Sequence, residues 1–291
     1  MEKSIKNYAV LILLAIIWGS SFILMKRGLD VYSYTQVAAL RLFIAFLSLT
    51  PFLLRAVKVV QKKHIIPIVV MALFGNGIPA FLFTKAQTQL DSSLVGILNS
   101  LVPLFTLLLG VYFFRTKPTK TNIAGIIIGL FGAVFLTYST IGGGVEINDY
   151  VFLVILATVM YAISINVIKK YLQDLDALSI SSLAFLMIGP FSAIYIFNTD
   201  FLVLSASSEG VESLLYIVLL AVVGTSLAVV IFNQLISRSS AIFASSVTYL
   251  IPIVAIFWGI FDGEKVTLIH LLSVVIILSG VYLVNKKSPT K

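Results

Sequence analysis

The chain has 291 residues, 59% of them hydrophobic and 11% charged, with a mean hydropathy of +1.08. A soluble protein of that composition would need an implausibly large dry core, so a polytopic membrane protein is the default. The formal charge of +8 would suggest nucleic acid in a soluble protein, but here Lys and Arg fall in short gaps between apolar runs, a pattern of membrane orientation that leaves nucleic acid out as a partner. Cysteine is absent and the two histidines, His64 and His270, stand far apart, so no disulfide, thiolate metal site or cofactor is expected.

Apolar runs long enough to cross about 30 Å of hydrocarbon, roughly 20 residues each, can be placed ten times, near 8–26, 34–54, 65–85, 92–113, 121–138, 150–168, 177–198, 213–235, 240–261 and 267–284. The first follows Lys3 and Lys6, but no small-x-small cleavage site comes after it, so it reads as an uncleaved helix rather than a signal peptide. It carries Trp18, Gly19, Ser20 and Ser21, residues that lipid does not ask for. The second span contains Arg41, the only basic residue well inside a span. Asn76 follows Gly75 in the third, Asn99 precedes Pro103 in the fourth, and Gly125, Gly129 and Gly132 in the fifth suit tight helix packing. Residues 141–149, with Gly142, Gly143 and Gly144, read as a flexible joint between two halves, 1–140 and 150–291. Beyond it, Tyr161 lies in the sixth span, Thr225 and Asn233 in the eighth, and Thr248 and Tyr249 in the ninth. No Asp or Glu lies mid-span, so a carboxylate proton relay is not visible.

With the N-terminus inside, most of the 20 Lys and Arg residues fall in cytoplasmic loops, whereas Lys26, Arg27, Lys85 and Lys265 fall outside. The positive-inside rule therefore predicts that both termini are cytoplasmic and that the Gly-rich joint is periplasmic.

The two halves echo each other. A shift of 143 residues places "WGSSFILMK" (Trp18 to Lys26) on "YAISINVIK" (Tyr161 to Lys169), and a shift of 149 places "LNSLVPLFTLLLG" (Leu98 to Gly110) on "VTYLIPIVAIFWG" (Val247 to Gly259). The second shift also sets Gly75 and Asn76 on Gly224 and Thr225. The ordered matches indicate a five-helix duplication. Five is odd, so the second copy enters the membrane in the opposite sense, and such inverted repeats are a recurring design of secondary transporters.

"WGSSF…MK" in the first span, Arg41 in the second, "LVPLFTLLLG" in the fourth, "YLIPIVAIFWGIFDGEKVT" in the ninth and "LSGVYLV" in the tenth resemble the ten-helix EamA-type branch of the drug/metabolite transporter superfamily. The resemblance spans nearly the whole chain. It implies an all-α inner-membrane carrier of small metabolites, often an amino-acid or drug exporter, with a central cavity between the halves. The family's Gly-Glu loop is present as Gly263 and Glu264, but Arg115, Thr116, Lys117 and Pro118 stand at the matching place in the first half. Glu264 is therefore given no substrate role.

Mid-span polar residues should turn to another helix or to a watery cavity. The repeat-related pairs Asn76 with Thr225 and Asn99 with Thr248, together with Tyr249 and Asn233, are candidate substrate ligands, and Trp18 with Tyr161 offers aromatic walls. Arg41 could pair with a substrate carboxylate or snorkel toward the nearby outer surface. The expected partners are a small-molecule substrate and membrane lipid; oligomeric state is not encoded legibly. Three function classes compete. A secondary transporter working by alternating access leads. A membrane enzyme would need convergent His, Asp, Glu, Cys or Ser-base sets, and a channel would need a charged ring or a carbonyl filter motif. Neither pattern is present, and no GxxxxGK[ST] loop for ATP is found.

Overall fold

The computed structural model describes residues 2–90, 92–140, 149–261 and 268–285. Apart from Asp149, the predicted joint at 141–149 lies outside the described residues, as does the Gly263–Glu264 loop. All regular secondary structure among the described residues is helical. Among the described residues, six helices are long and apolar enough to cross a membrane: Ile5–Leu29, Tyr34–Val59, Lys62–Ala86, Tyr150–Tyr171, Ala177–Phe197 and Ser208–Arg238. Further helices lie at the other predicted spans: Ser92–Asn99, Val102–Phe114, Lys120–Thr140, Ala241–Ser245, Val247–Phe261 and Leu268–Asn285.

Two predicted spans are broken. The 92–113 run parts at Ser100 and Leu101, and the 240–261 run parts at Ser246. A proline follows each break, Pro103 and Pro252, and a proline has no amide to give the carbonyl four residues earlier. For Pro252 that carbonyl belongs to Thr248, and Ser100 Oγ donates to it at 3.2 Å from across the bundle. The two breaks therefore face each other.

Helix starts are fixed by local side chains. Ser33 and Gln36 form a reciprocal cap at the Tyr34–Val59 helix, while Asp176 accepts from the Ser179 amide at 3.0 Å and from its hydroxyl at 2.7 Å. These caps are themselves 143 residues apart. The Val102–Phe114 helix stops at Arg115 in the left-handed conformation, φ 54°.

The burial pattern is inverted relative to a soluble protein. Large apolar residues such as Ile12, Ile16, Phe131, Phe191, Leu215 and Val275 are exposed on the outside, whereas Asn76, Asn99, Asn166, Thr225 and Asn233 are buried. That is the distribution expected when the solvent is hydrocarbon. The Lys120–Thr140 and Leu268–Asn285 helices pack backbone to backbone, since a Cβ on Gly125 would come within 2.7 Å of the Gly280 carbonyl and the Val284 amide.

One end of the bundle carries Tyr8, whose ring meets Phe243 edge-on at 5.4 Å. It also carries Lys63 and His64, both bonded to Asp174. Bonds from Lys63 and then His64 hold the Asp174 carboxyl down at about 2. At the opposite end Tyr32 is buried and donates to Gly210 O at 2.9 Å, and burial pushes its phenol up. There Gln36 also donates to Asp200 at 2.7 Å.

Candidate functional site

A cavity lies between the two halves of the chain. Its walls come from both halves in repeat-related pairs. Trp18 and Tyr161, Ser21 and Ser164, Phe22 and Ile165, and Met25 and Ile168 line it at the shift of 143. At the shift of 149, Asn76 is matched by Thr225, Ala80 by Val229, Phe83 by Phe232, Asn99 by Thr248 and Val102 by Ile251.

The pairing extends to hydrogen bonds. The Lys62–Ala86 helix widens to a π-turn over Leu73–Gly77, and the Ser208–Arg238 helix does so over Val222–Leu227. Asn76 Nδ2 reaches Met71 O at 3.3 Å and Thr225 Oγ1 reaches Leu220 O at 3.0 Å, each spanning five residues. Both donors thus satisfy carbonyls in the widened turns, a device common where helices are bent for function. Only the first of these turns is followed by a proline, Pro79; its counterpart is followed by Ala228. Proline alone therefore does not make the turn.

The small residues of the opening span have distinct jobs. Trp18 Nε1 donates to Gly224 O at 3.0 Å, and a Cβ on Gly224 would come within 2.7 Å of Ser21 Oγ. In the other half, a Cβ on Gly75 would strike Ser164 Oγ. Gly19 packs on Val254, while Ser20 bonds its own helix at Ile16 O. Trp18 meets Phe232 edge-on with ring centres 5.0 Å apart, and the repeat-related Tyr161 stacks with Phe83 at 5.7 Å.

Of the nine residues singled out from sequence, Trp18, Arg41, Asn76, Asn99, Tyr161, Thr225, Asn233 and Thr248 line the cavity. Tyr249 does not. It is fully buried, its ring lies against Gly129 and its hydroxyl donates to Ile126 O at 2.9 Å. Adjacent helical residues point about 100° apart, so Thr248 and Tyr249 cannot share a face. Arg41 Nε donates to Thr225 Oγ1 at 2.6 Å, and Asn233 Nδ2 donates to Ser181 Oγ at 2.9 Å. The Asn99 amide oxygen is buried without a partner among the described residues. Sequence reasoning missed Phe83 and Phe232 because apolar residues in apolar helices carry no contrast. The shift of 149 that aligned Asn76 with Thr225 would have paired them.

Where the cavity's walls end, Lys169 Nζ donates to Ile236 O at 3.0 Å and to Ser237 O at 3.1 Å. That tie joins the ends of two helices at the Tyr8 end of the bundle.

The EamA-like transporter family model matches residues 5–138 and again 149–286. The chain belongs to the EamA-like transporter family. An uncharacterized transporter of Archaeoglobus fulgidus is 26% identical over 288 residues, covering 97% of this chain and 99% of that protein. A probable amino-acid metabolite efflux pump of Salmonella typhimurium is 25% identical, covering 96% of this chain and 94% of the relative. One solved crystal structure superposes with a TM-score of 0.74 over 96% of both chains at 16% identity, which speaks to the fold alone. This EamA family member is a multi-pass inner-membrane protein.

Proposed function

We propose that the chain is a secondary transporter, an exporter or facilitator, that moves a small amphipathic metabolite by alternating access around the cavity. In this reading ten spans form two inverted five-helix repeats, 1–140 and 150–291, with both termini cytoplasmic. The observation that carries it is the cavity wall, in which nine residues of one half are matched in order by nine of the other. Two like halves of opposite sense have equivalent ways to close, one toward each side of the membrane. The tie of Lys169 to Ile236 and Ser237 supports closure at the cytoplasmic side. Its repeat mate Lys26, at the other side, is exposed. Amino acids or their derivatives are favoured as substrates by the likeness to the probable amino-acid metabolite efflux pump of Salmonella typhimurium.

Counterflow tests this reading. Purified protein goes into vesicles preloaded with one unlabelled amino acid or amphipathic compound at a time, and uptake of the labelled compound is followed. Saturable uptake that depends on the preload and is lost in Trp18→Ala is the expected result. Folded protein that exchanges nothing across amino acids, organic acids, purines and amphipathic amines would sink it.

A further inference from the structure

Arg41 is the only charged residue among the described residues that line the cavity, and no Asp or Glu is among them. A guanidinium at such depth needs a compensating anion or a set of acceptors. It has one acceptor among the described residues, Thr225 Oγ1, and that takes Nε. Its two terminal amino groups have no ion-pair or hydrogen-bond partner among the described residues. Nor is Arg41 part of the repeat: the shift of 143 places it on Ala184. A residue needed only to hold a symmetric fold would be expected to have a counterpart there. A second cavity residue is open to a ligand in a different way: Asn99 is only 6% exposed, and its amide oxygen accepts no hydrogen bond among the described residues, so it would take a donor group of the ligand and not a carboxylate oxygen.

We infer that the transported ligand is an organic anion whose carboxylate is bound by Arg41, with an aromatic or other apolar body seated among Trp18, Phe83, Tyr161 and Phe232. This rests on the transporter reading and adds the substrate's chemical class. A carboxylate offers two oxygens to the planar guanidinium fork, and the apolar walls strengthen the pairing by excluding water. An organic ammonium in the same place would face a like charge and no acid. Only neutral oxygens, such as those of Asn99, Tyr161 and Thr248, would be there to receive it.

The test is titration calorimetry on the full chain in detergent with two probes of nearly one shape, 3-phenylpropionate and phenethylamine. Wild-type protein should bind the carboxylate at least about 10-fold more tightly, the scale of one charged hydrogen-bonded contact. Arg41→Gln should erase that gap, and Arg41→Lys, which keeps the charge, should retain part of it. Equal affinity for the two probes, a gap that survives in Arg41→Gln, or no binding of either probe overturns the anion inference. Counterflow of any other solute would leave the transporter reading standing in those cases, so the two failures are distinguishable.

Discussion

Lys169 Nζ lies 3.0 Å from the carbonyl oxygen of Ile236, and so ties the end of the Tyr150–Tyr171 helix to the end of the Ser208–Arg238 helix. Last-turn carbonyls lack amide partners and carry the negative end of the helix dipole, so an ammonium there satisfies both needs. The repeat relation gives Lys26 as the mate of Lys169, with Gln87 and Thr88 at the places of Ile236 and Ser237.

Breaking the tie should open the cavity toward the Tyr8 end. The chain has no native cysteine, so a single cysteine in place of Asn233 can report access. Lys169→Met is expected to raise its rate of modification by a hydrophilic thiol reagent several-fold, on the scale of the roughly 1 kcal/mol of one helix-end contact. Lys26→Met should leave that rate unchanged. An unchanged rate in Lys169→Met would mean the tie does not control access.

Gly224 and Ser21 provide a rescue experiment. Gly224→Ala places a Cβ within 2.7 Å of Ser21 Oγ, and overpacking of this kind costs about 1–3 kcal/mol. The melting temperature in detergent should fall, and adding Ser21→Ala should restore most of the loss. A double variant no more stable than Gly224→Ala alone would place the strain elsewhere.

The aromatic pairs predict matched losses. Phe83→Ala and Phe232→Ala each remove the ring that holds Tyr161 or Trp18 at the cavity wall, a ring contact of about 0.5–1.5 kcal/mol beyond area burial. Initial counterflow rates should drop by similar factors in the two variants. Loss in only one would show that the halves do not contribute equally.

Tyr249→Phe separates stability from transport. The hydroxyl's bond to Ile126 O is buried, so its loss should cost about 1 kcal/mol and lower the melting temperature while counterflow persists. A folded variant without transport would return Tyr249 to the substrate path.

Acid should weaken the Lys63, His64 and Asp174 cluster in a defined window. The Asp174 carboxyl is lowered from 3.8 to about 2 by its bonds to Lys63 and His64. A lowered carboxyl contributes stability that is fully present above 3.8 and is lost as pH falls through about 2. Melting curves between pH 5 and 2 should therefore lose part of their acid dependence in Asp174→Asn, and an identical acid limb in both proteins would count against the cluster. The Asp174 side chain is 46% exposed, so the difference should be small and should shrink in salt.

Much of the site was legible because it is written twice. Trp18 with Tyr161, Asn76 with Thr225 and Asn99 with Thr248 were recoverable by sliding the chain along itself, and polar residues stand out in an apolar span. The breaks before Pro103 and Pro252 were less legible, since a proline announces a lost bond but not which side chain replaces it. Ser100 became visible in that role only when its helix lay against Thr248. The tie made by Lys169 was not legible, because the carbonyls it serves lie 67 and 68 residues away.

The sequence by itself determined the membrane class, the family, the repeat correspondence and the inventory of polar groups, all of which follow from composition and order along the chain. Tertiary structure alone decided direction: Thr248 faces the cavity while Tyr249 binds Ile126, and Arg41 turns to Thr225 rather than to the surface. The reason is helical geometry. Residues one place apart diverge by about 100°, and in spans apolar on nearly every side no hydrophobic face tells which direction is inward. Only the packing of neighbouring helices fixes that rotation.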